Sequence, residues 1–248
     1  MHPFDFSITR RYLALAAPVA LSSQLDNLIG FAEMFMVRSL GSAAISAVGI
    51  SRQVVMVIGI TMVAVTTGAM TLVAQAIGAQ DSEQASATAK QSITLVFAVS
   101  GLISTVGYFG SPHALQLMSL PQEVIVLGIP YLELFFISLP LMGVSFTIST
   151  CFHAAGDAKT PLYIAIVSNT ARLIFAYALI YGEWGLPAMG VTGAAAGGLA
   201  GAGVGVGISM IALYSGRFGI TITSETTYIP DKDRARKIFK IGLPSALQ

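Results

Sequence analysis

The sequence predicts an all-α membrane protein: six transmembrane helices that form one lobe of a two-lobe, twelve-helix architecture. Three observations carry this. The 248 residues are 54% hydrophobic and 10% charged, with a mean hydropathy of +0.76, whereas a soluble chain carries about 25% charged residues. Six apolar stretches are each long enough to cross a hydrocarbon core, which takes about 20 helical residues. A short repeat then brackets them. Leu15-Ala16-Ala17-Pro18-Val19-Ala20-Leu21 returns 226 residues later as Ile241-Gly242-Leu243-Pro244-Ser245-Ala246-Leu247. The same offset lays Arg10-Arg11 over Arg236-Lys237. A second copy of a membrane unit is therefore expected to start there, as in proteins built from repeated bundles around a midplane site.

The spans are expected at Tyr12–Val37, Gln53–Ile77, Gln91–Phe109, Val124–Phe152, Pro161–Tyr181 and Gly190–Tyr214. The first begins after Arg10-Arg11 and contains Pro18. The second and third are separated by the polar turn from Gly78 to Glu83. The fourth ends before the turn from Gly156 to Pro161, where proline suits the first turn of the fifth helix because its missing N–H would be unpaired there anyway. The sixth is rich in small residues, Gly193 to Gly198 and then Gly201 to Gly207. Small residues let helices approach closely in lipid, so this helix is expected to pack tightly against its neighbours. Residues 1–215 are read as the six-helix lobe, 216–235 as a cytoplasmic linker and 236–248 as the start of a seventh helix.

Orientation follows the positive-inside rule. With a cytoplasmic N-terminus, Arg10, Arg11, Lys90, Lys159, Arg217, Lys232, Arg234, Arg236, Lys237 and Lys240 lie inside; Arg38 and Arg52 lie outside, and Arg172 lies within a span. No cleavable signal peptide is expected, because the first apolar stretch is long and carries two acids. The single cysteine, Cys151, excludes an internal disulfide. The scattered His2, His113 and His153 do not form a metal-ligand pattern. The glycine-rich stretches lie within an apolar helix rather than between a strand and a helix, so neither a dinucleotide nor a phosphate-loop reading fits. No nucleophile constellation, cofactor site or nucleic-acid surface is expected, and the chain does not read as an enzyme.

Four ionisable residues fall inside spans: Asp26, Glu33, Glu133 and Arg172. A charge near the bilayer centre costs about 2.5–3.5 kcal/mol on insertion scales, so such residues face a cavity or a partner. Asp26 and Glu33 are seven residues apart and therefore share a helix face. Ser22 lies on the same face, with Gln24 and Asn27 nearby. Two carboxylates about 10 Å apart along one helix suit a proton or cation pathway. Arg172 cannot neutralise itself by losing a proton and needs an anion: Glu33, Asp26 or Glu133. The pair can be a static packing device or a switch opened when the acid is protonated, or Arg172 can hold an anionic substrate directly. Glu133 can also snorkel toward the outer interface. Ser145 and Ser149, four residues apart on one face of the fourth helix, offer hydroxyls, although serines often bond back to their own helix. Asn169 is a further candidate substrate contact with Asp26, Ser145 and Ser149. Met56, Met62 and Met70 can form an adaptable apolar surface or simple core bulk.

Pro18, Ala32-Glu33-Met34-Phe35 and Val37-Arg38-Ser39-Leu40-Gly41 resemble the first helix of the multidrug and toxic compound extrusion (MATE) family. Gln75-Ala76-Ile77-Gly78-Ala79 is also similar to it. So are the run from Ala155 to Pro161 and Ile180-Tyr181-Gly182 followed by Pro187-Ala188-Met189-Gly190-Val191 and Gly193-Ala194-Ala195. The resemblance spans residues 10–215. It implies two six-helix lobes in a bacterial inner membrane. It also implies efflux of cationic amphiphilic compounds against inward flow of protons or sodium, with no cofactor. The family usually has Asp where this chain has Glu33. Many bacterial members carry Asn and, four residues later, Asp at places held here by Arg172 and Ala176. That replacement removes oxygen ligands a sodium ion needs, so protons are the expected coupling ion, with Glu33, Asp26 and Arg172 as the coupling residues. It also favours Glu33 as the partner of Arg172, because the family packs those positions near each other. Two other readings stand beside this one. A flippase would use Arg172 to hold the phosphate of an anionic lipid-linked precursor; it requires further basic residues inside the spans, where only one arginine and no lysine are expected. A non-transporting membrane scaffold or inactive lobe would need neither charge.

Overall fold

The computed structural model describes residues 6–215, except the side chains of residues 6–15, 60–62, 64, 65 and 82. These residues form six long helices: α1 (Phe6–Arg38), α2 (Ser42–Gly78), α3 (Ser82–Leu117), α4 (Gln122–Ala154), α5 (Lys159–Tyr181) and α6 (Val191–Tyr214). A single 3₁₀ turn, Glu183–Gly185, joins the last two. There is no strand among the described residues. Stretches in α2 to α6 are long and apolar enough to cross a membrane. In α1, Ser22, Ser23, Gln24, Asp26, Asn27 and Glu33 interrupt the apolar run. The basic stretch Lys232–Lys240 and the returning Leu243-Pro244 lie outside the described residues, as do the side chains of Arg10, Arg11 and Met62.

The helices are longer than the apolar stretches that announce them. α2 begins at Ser42 rather than near Gln53, so Arg52 stands inside a helix and not in an outer loop. α3 begins at Ser82, so Lys90 is also helical, and it is fully buried. The expectation of one arginine and no lysine among these helices is therefore corrected. Hydropathy falls where charges begin, but backbone hydrogen bonding continues until a cap stops it. Asp81 supplies one such cap, its carboxylate accepting from the Gln84 N–H at 2.9 Å. Asp157 supplies another, accepting from the N–H groups of Lys159 at 2.9 Å and Thr160 at 3.2 Å. α3 continues through Pro112 to Leu117, and α4 contains Pro130 and Pro140. Packed neighbours and serine hydroxyls make interior prolines tolerable in membrane helices. Gly182 ends α5 in the left-handed conformation, φ 77°, the usual glycine C-cap.

Two features set the packing. Large apolar side chains point outward: Phe31 and Phe35 of α1 are 74% and 73% exposed, and Met56 of α2 is 70% exposed. This suits a surface meeting lipid or another apolar surface rather than water. Small residues point inward along α6. Positions 193, 197, 201 and 205 all lie on its packed side. A Cβ at Gly193 would meet the Leu179 backbone at 2.5 Å, one at Gly197 the Ala176 backbone at 2.5 Å, and one at Gly201 the Arg172 Cβ at 2.7 Å. At Gly205 it would meet Ser145 Oγ and Ser168 Cβ at 3.3 Å. Gly198, Gly203 and Gly207 face open space. The close packing expected of this helix is thus carried by every fourth residue, which brings α6 almost backbone to backbone with α5.

Gly197→Val is expected to lower stability by about 2 kcal/mol or more through overpacking, whereas Gly203→Ala should change it by less than about 0.5 kcal/mol. Thermal melting in detergent followed by size-exclusion fluorescence compares them. Equal melting temperatures would refute the backbone-to-backbone seam.

Candidate functional site

α1 and α5 run side by side in the same direction, and polar groups bridge them at three levels. At the first, Asn169 Nδ2 of α5 donates to Asp26 Oδ1 of α1 at 2.7 Å. At the second, Arg172 meets Glu33 with both edges of its fork: Nε donates to Oε1, and Nη2 donates to Oε2 at 2.6 Å. At the third, the Tyr181 hydroxyl donates to the Met36 carbonyl at 2.9 Å and lies 3.1 Å from the Ser39 hydroxyl. The seven-residue spacing of Asp26 and Glu33 turns both toward α5. Asn169 and Arg172, one turn apart, answer them.

The middle level is the strongest. The Glu33 side chain is 5% exposed and that of Arg172 is 26% exposed. A planar fork on a carboxylate gives two charge-assisted hydrogen bonds in one geometry. The surroundings hold it in place. Gly201 of α6 backs the Arg172 Cβ. Val37, Tyr131 of α4, Ala176, Ile180, Val191, Ala194 and Ala195 form a buried apolar cluster along the same seam, with Met34 and Met36 packed on it. Ala176 is fully buried, so the position four residues after Arg172 is occupied by packing and offers no oxygen.

The other singled-out residues lie elsewhere. Glu133 is half-buried on α4 and is not a partner of Arg172; among the described residues Glu33 holds that place. Ser145 is turned to α6, its hydroxyl 3.1 Å from that of Ser209, so it ties α4 to α6 two turns along from Gly201. Ser149 is half-buried on α4. Ser22 bonds back to the Pro18 and Val19 carbonyls of its own helix. Gln24 and Asn27 are exposed beside Asp26. Met70 is 40% exposed, and with Met56 it belongs to the outer surface of α2. Among the described residues no group of three or more His, Cys, Asp or Glu is placed to hold a metal ion.

Two residues that sequence reasoning passed over belong to the site. Tyr131 is buried and lies within electrostatic reach of Glu33, Arg172 and Arg52. Arg52 of α2 donates from Nη1 to the Gly30 carbonyl of α1 at 3.1 Å, one turn before Glu33. Asp26 is also within reach of Arg172. A charged residue in an apolar helix was the available signal for Arg52, had the helix been started at Ser42. Tyr131 gave none, since a lone tyrosine in a span is usually an interfacial anchor.

Comparison with known proteins gives a consistent picture. The family model described as MatE matches residues 18–178. The "Probable multidrug resistance protein YoeA" of Bacillus subtilis is 27% identical over 190 residues, covering 76% of this chain and 41% of that protein. The "Probable multidrug resistance protein NorM" of Thermotoga maritima is 25% identical over 242 residues, covering 97% of this chain and 52% of that protein. A solved structure described as the outward-facing conformation of a multidrug resistance MATE family transporter superposes with a TM-score of 0.85 at 21% identity. It covers 96% of this chain and 52% of that one. The chain thus spans about half the length of the relatives it matches.

Breaking a buried ion pair by removing one partner costs about 3–5 kcal/mol, because the other charge is left uncompensated. Glu33→Gln and Arg172→Gln should each destabilise by about 3 kcal/mol, and the double variant by clearly less than their sum. Melting of the four proteins in detergent measures the cycle; additive losses would show that the two side chains do not depend on each other.

Proposed function

Because the chain belongs to the MatE family, whose members are membrane transporters and not enzymes, we propose that it is the N-terminal lobe of a secondary antiporter that exports cationic amphiphilic compounds in exchange for protons. A second six-helix lobe would complete it, in a bacterial inner membrane with the N-terminus in the cytoplasm. The observation that carries this reading is the buried Glu33–Arg172 fork with Asp26 two turns away on the same face.

The mechanism follows from what can occupy the Glu33 oxygens. A proton and the Arg172 guanidinium compete for them. When a proton binds, Arg172 loses its anion and turns toward Asp26, the remaining carboxylate whose charge acts on it. Asp26 is then engaged by a guanidinium, and an organic cation held there is displaced. When the proton leaves, Arg172 returns to Glu33, and Asp26 is free to bind the next cation. Asn169 orients Asp26 through its 2.7 Å bond, and the hydroxyls of Ser145 and Ser149 serve as further polar contacts for the substrate. Alternating access then requires only that the two occupancies favour different lobe arrangements. Sodium coupling at this lobe is disfavoured, since Arg172 places a cation beside Glu33 and Ala176 offers no ligand oxygen. No cofactor is needed.

A second reading, a flippase for an anionic lipid-linked precursor, draws support from Arg52, a second guanidinium close to the same site. Arginine forks suit phosphate as well as carboxylate.

Inverted vesicles containing the full-length transporter test the two. Ethidium uptake driven by a proton gradient and not by a sodium gradient is expected. Glu33→Gln should abolish it while inserting normally in the membrane. Normal coupled uptake in Glu33→Gln would remove Glu33 from the mechanism. Uptake with neither ion, with rescue of a glycan-export defect that Arg172→Gln loses, would establish the flippase instead.

A further inference from the structure

Arg52 plays no part in the exchange at Glu33, yet it stands beside it. Its guanidinium fills the space where a Cβ at position 30 would be. Glycine at that position is what lets it lie against α1 and reach the Gly30 carbonyl at 3.1 Å. Position 30 is one turn from Asp26 and one turn from Glu33, so this bond sets Arg52 at the level between the two carboxylates along α1, and the charges of Glu33, Arg172 and Arg52 all act on the Tyr131 phenol. Each element packed on this stretch of α1 is accounted for. α2 contributes Arg52, α4 contributes Tyr131, and α5 contributes Arg172 with the uncharged Asn169. α6 carries no ionisable residue before Tyr214 at its far end.

We propose that Arg52 sets the resting charge of this site and thereby how tightly it holds an organic cation before and after the proton binds. The proposal rests on the antiport reading above. With Glu33 ionised, two carboxylates and two guanidinia cancel. With Glu33 protonated, one positive charge is left over, in a partly dry environment where a unit charge acts strongly over several ångströms. A cation at Asp26 is then repelled as well as displaced. Without Arg52 the cluster is one charge more negative: net negative at rest and neutral after protonation. The proton still binds and Arg172 still turns to Asp26, but the cation is held more tightly on both sides of that step. If Arg52 merely stapled α2 to α1, its removal would weaken packing and leave cation affinity unchanged at both ends of the pH range.

The test is ethidium binding to the purified full-length protein in nanodiscs, followed by fluorescence polarisation from alkaline to acid pH. Wild type should lose about tenfold in affinity on acidification. Arg52→Gln should bind at acid pH about as tightly as wild type does at alkaline pH, and Arg52→Lys should restore the wild-type profile. An unchanged profile in a correctly folded Arg52→Gln protein overturns the proposal and leaves the antiport reading standing. Where Arg52→Gln fails to fold, wild type alone decides: naphthalene sulfonate, an anion that does not titrate in this range, should bind more tightly as ethidium binds less. No such rise overturns the proposal. A wild type that binds no ethidium at any pH takes down both the proposal and the antiport reading.

Discussion

Arg172 is the constraint around which this lobe is organised. A carboxylate in an apolar bundle can take up a proton and become neutral; a guanidinium has no such escape. Once arginine stands in the middle of α5, some other helix must bring it an anion. α1 does so with Glu33, and the α1–α5 seam follows from that pairing. Asp26 with Asn169 on one side and Met36 and Ser39 with Tyr181 on the other extend it. α5 is in turn held from behind by α6, whose glycines at every fourth position permit near-contact of the two backbones. The glycine at 201 that touches the Arg172 Cβ is where the structural seam and the charged site become one feature.

On the proposed mechanism the same pair also gives the lobe a reason to move. A buried ion pair is weak evidence for stability, since desolvation offsets much of the attraction. It is better suited to switching, because changing the occupant of the carboxylate changes what the guanidinium must do. Asp26, two turns earlier on the same helix, is exposed where Glu33 is buried. The two carboxylates are thus unequal: one is committed to arginine, the other open to a ligand. On the proposed mechanism, exchange of partners among two acids, one arginine and one proton would link the two fluxes.

Much of this was legible in the sequence. The number and order of the helices, the turns at Gly78 and Gly156 and the tight packing of α6 follow from apolar length, breaker residues and small-residue content; for Arg172 the residues alone left Glu33, Asp26 and Glu133 open, and the family resemblance favoured Glu33. The helix ends were not legible. Hydropathy reports where lipid is favourable, while a helix ends only where its backbone is capped, as at Asp81 and Asp157. Starting α2 too late placed Arg52 in a loop, and starting α3 too late placed the buried Lys90 there. Both starts are set locally, by the turn at Gly41 and the cap at Asp81, which hydropathy does not read. Ser145 shows the same limit: spacing puts it on one face of α4 with Ser149, but whether its hydroxyl faces a cavity or Ser209 depends on the neighbouring helix.

The central claim is that Glu33 exchanges Arg172 for a proton. Infrared difference spectroscopy of the full-length protein on acidification tests it most directly, because a protonated carboxyl has a carbonyl stretch that an ionised one lacks. A carboxyl band that grows on acidification, is missing in Glu33→Gln and recedes when ethidium is added is the expected result. A Glu33 that stays ionised over the whole pH range in which transport occurs would make the fork a static packing device and contradict the exchange.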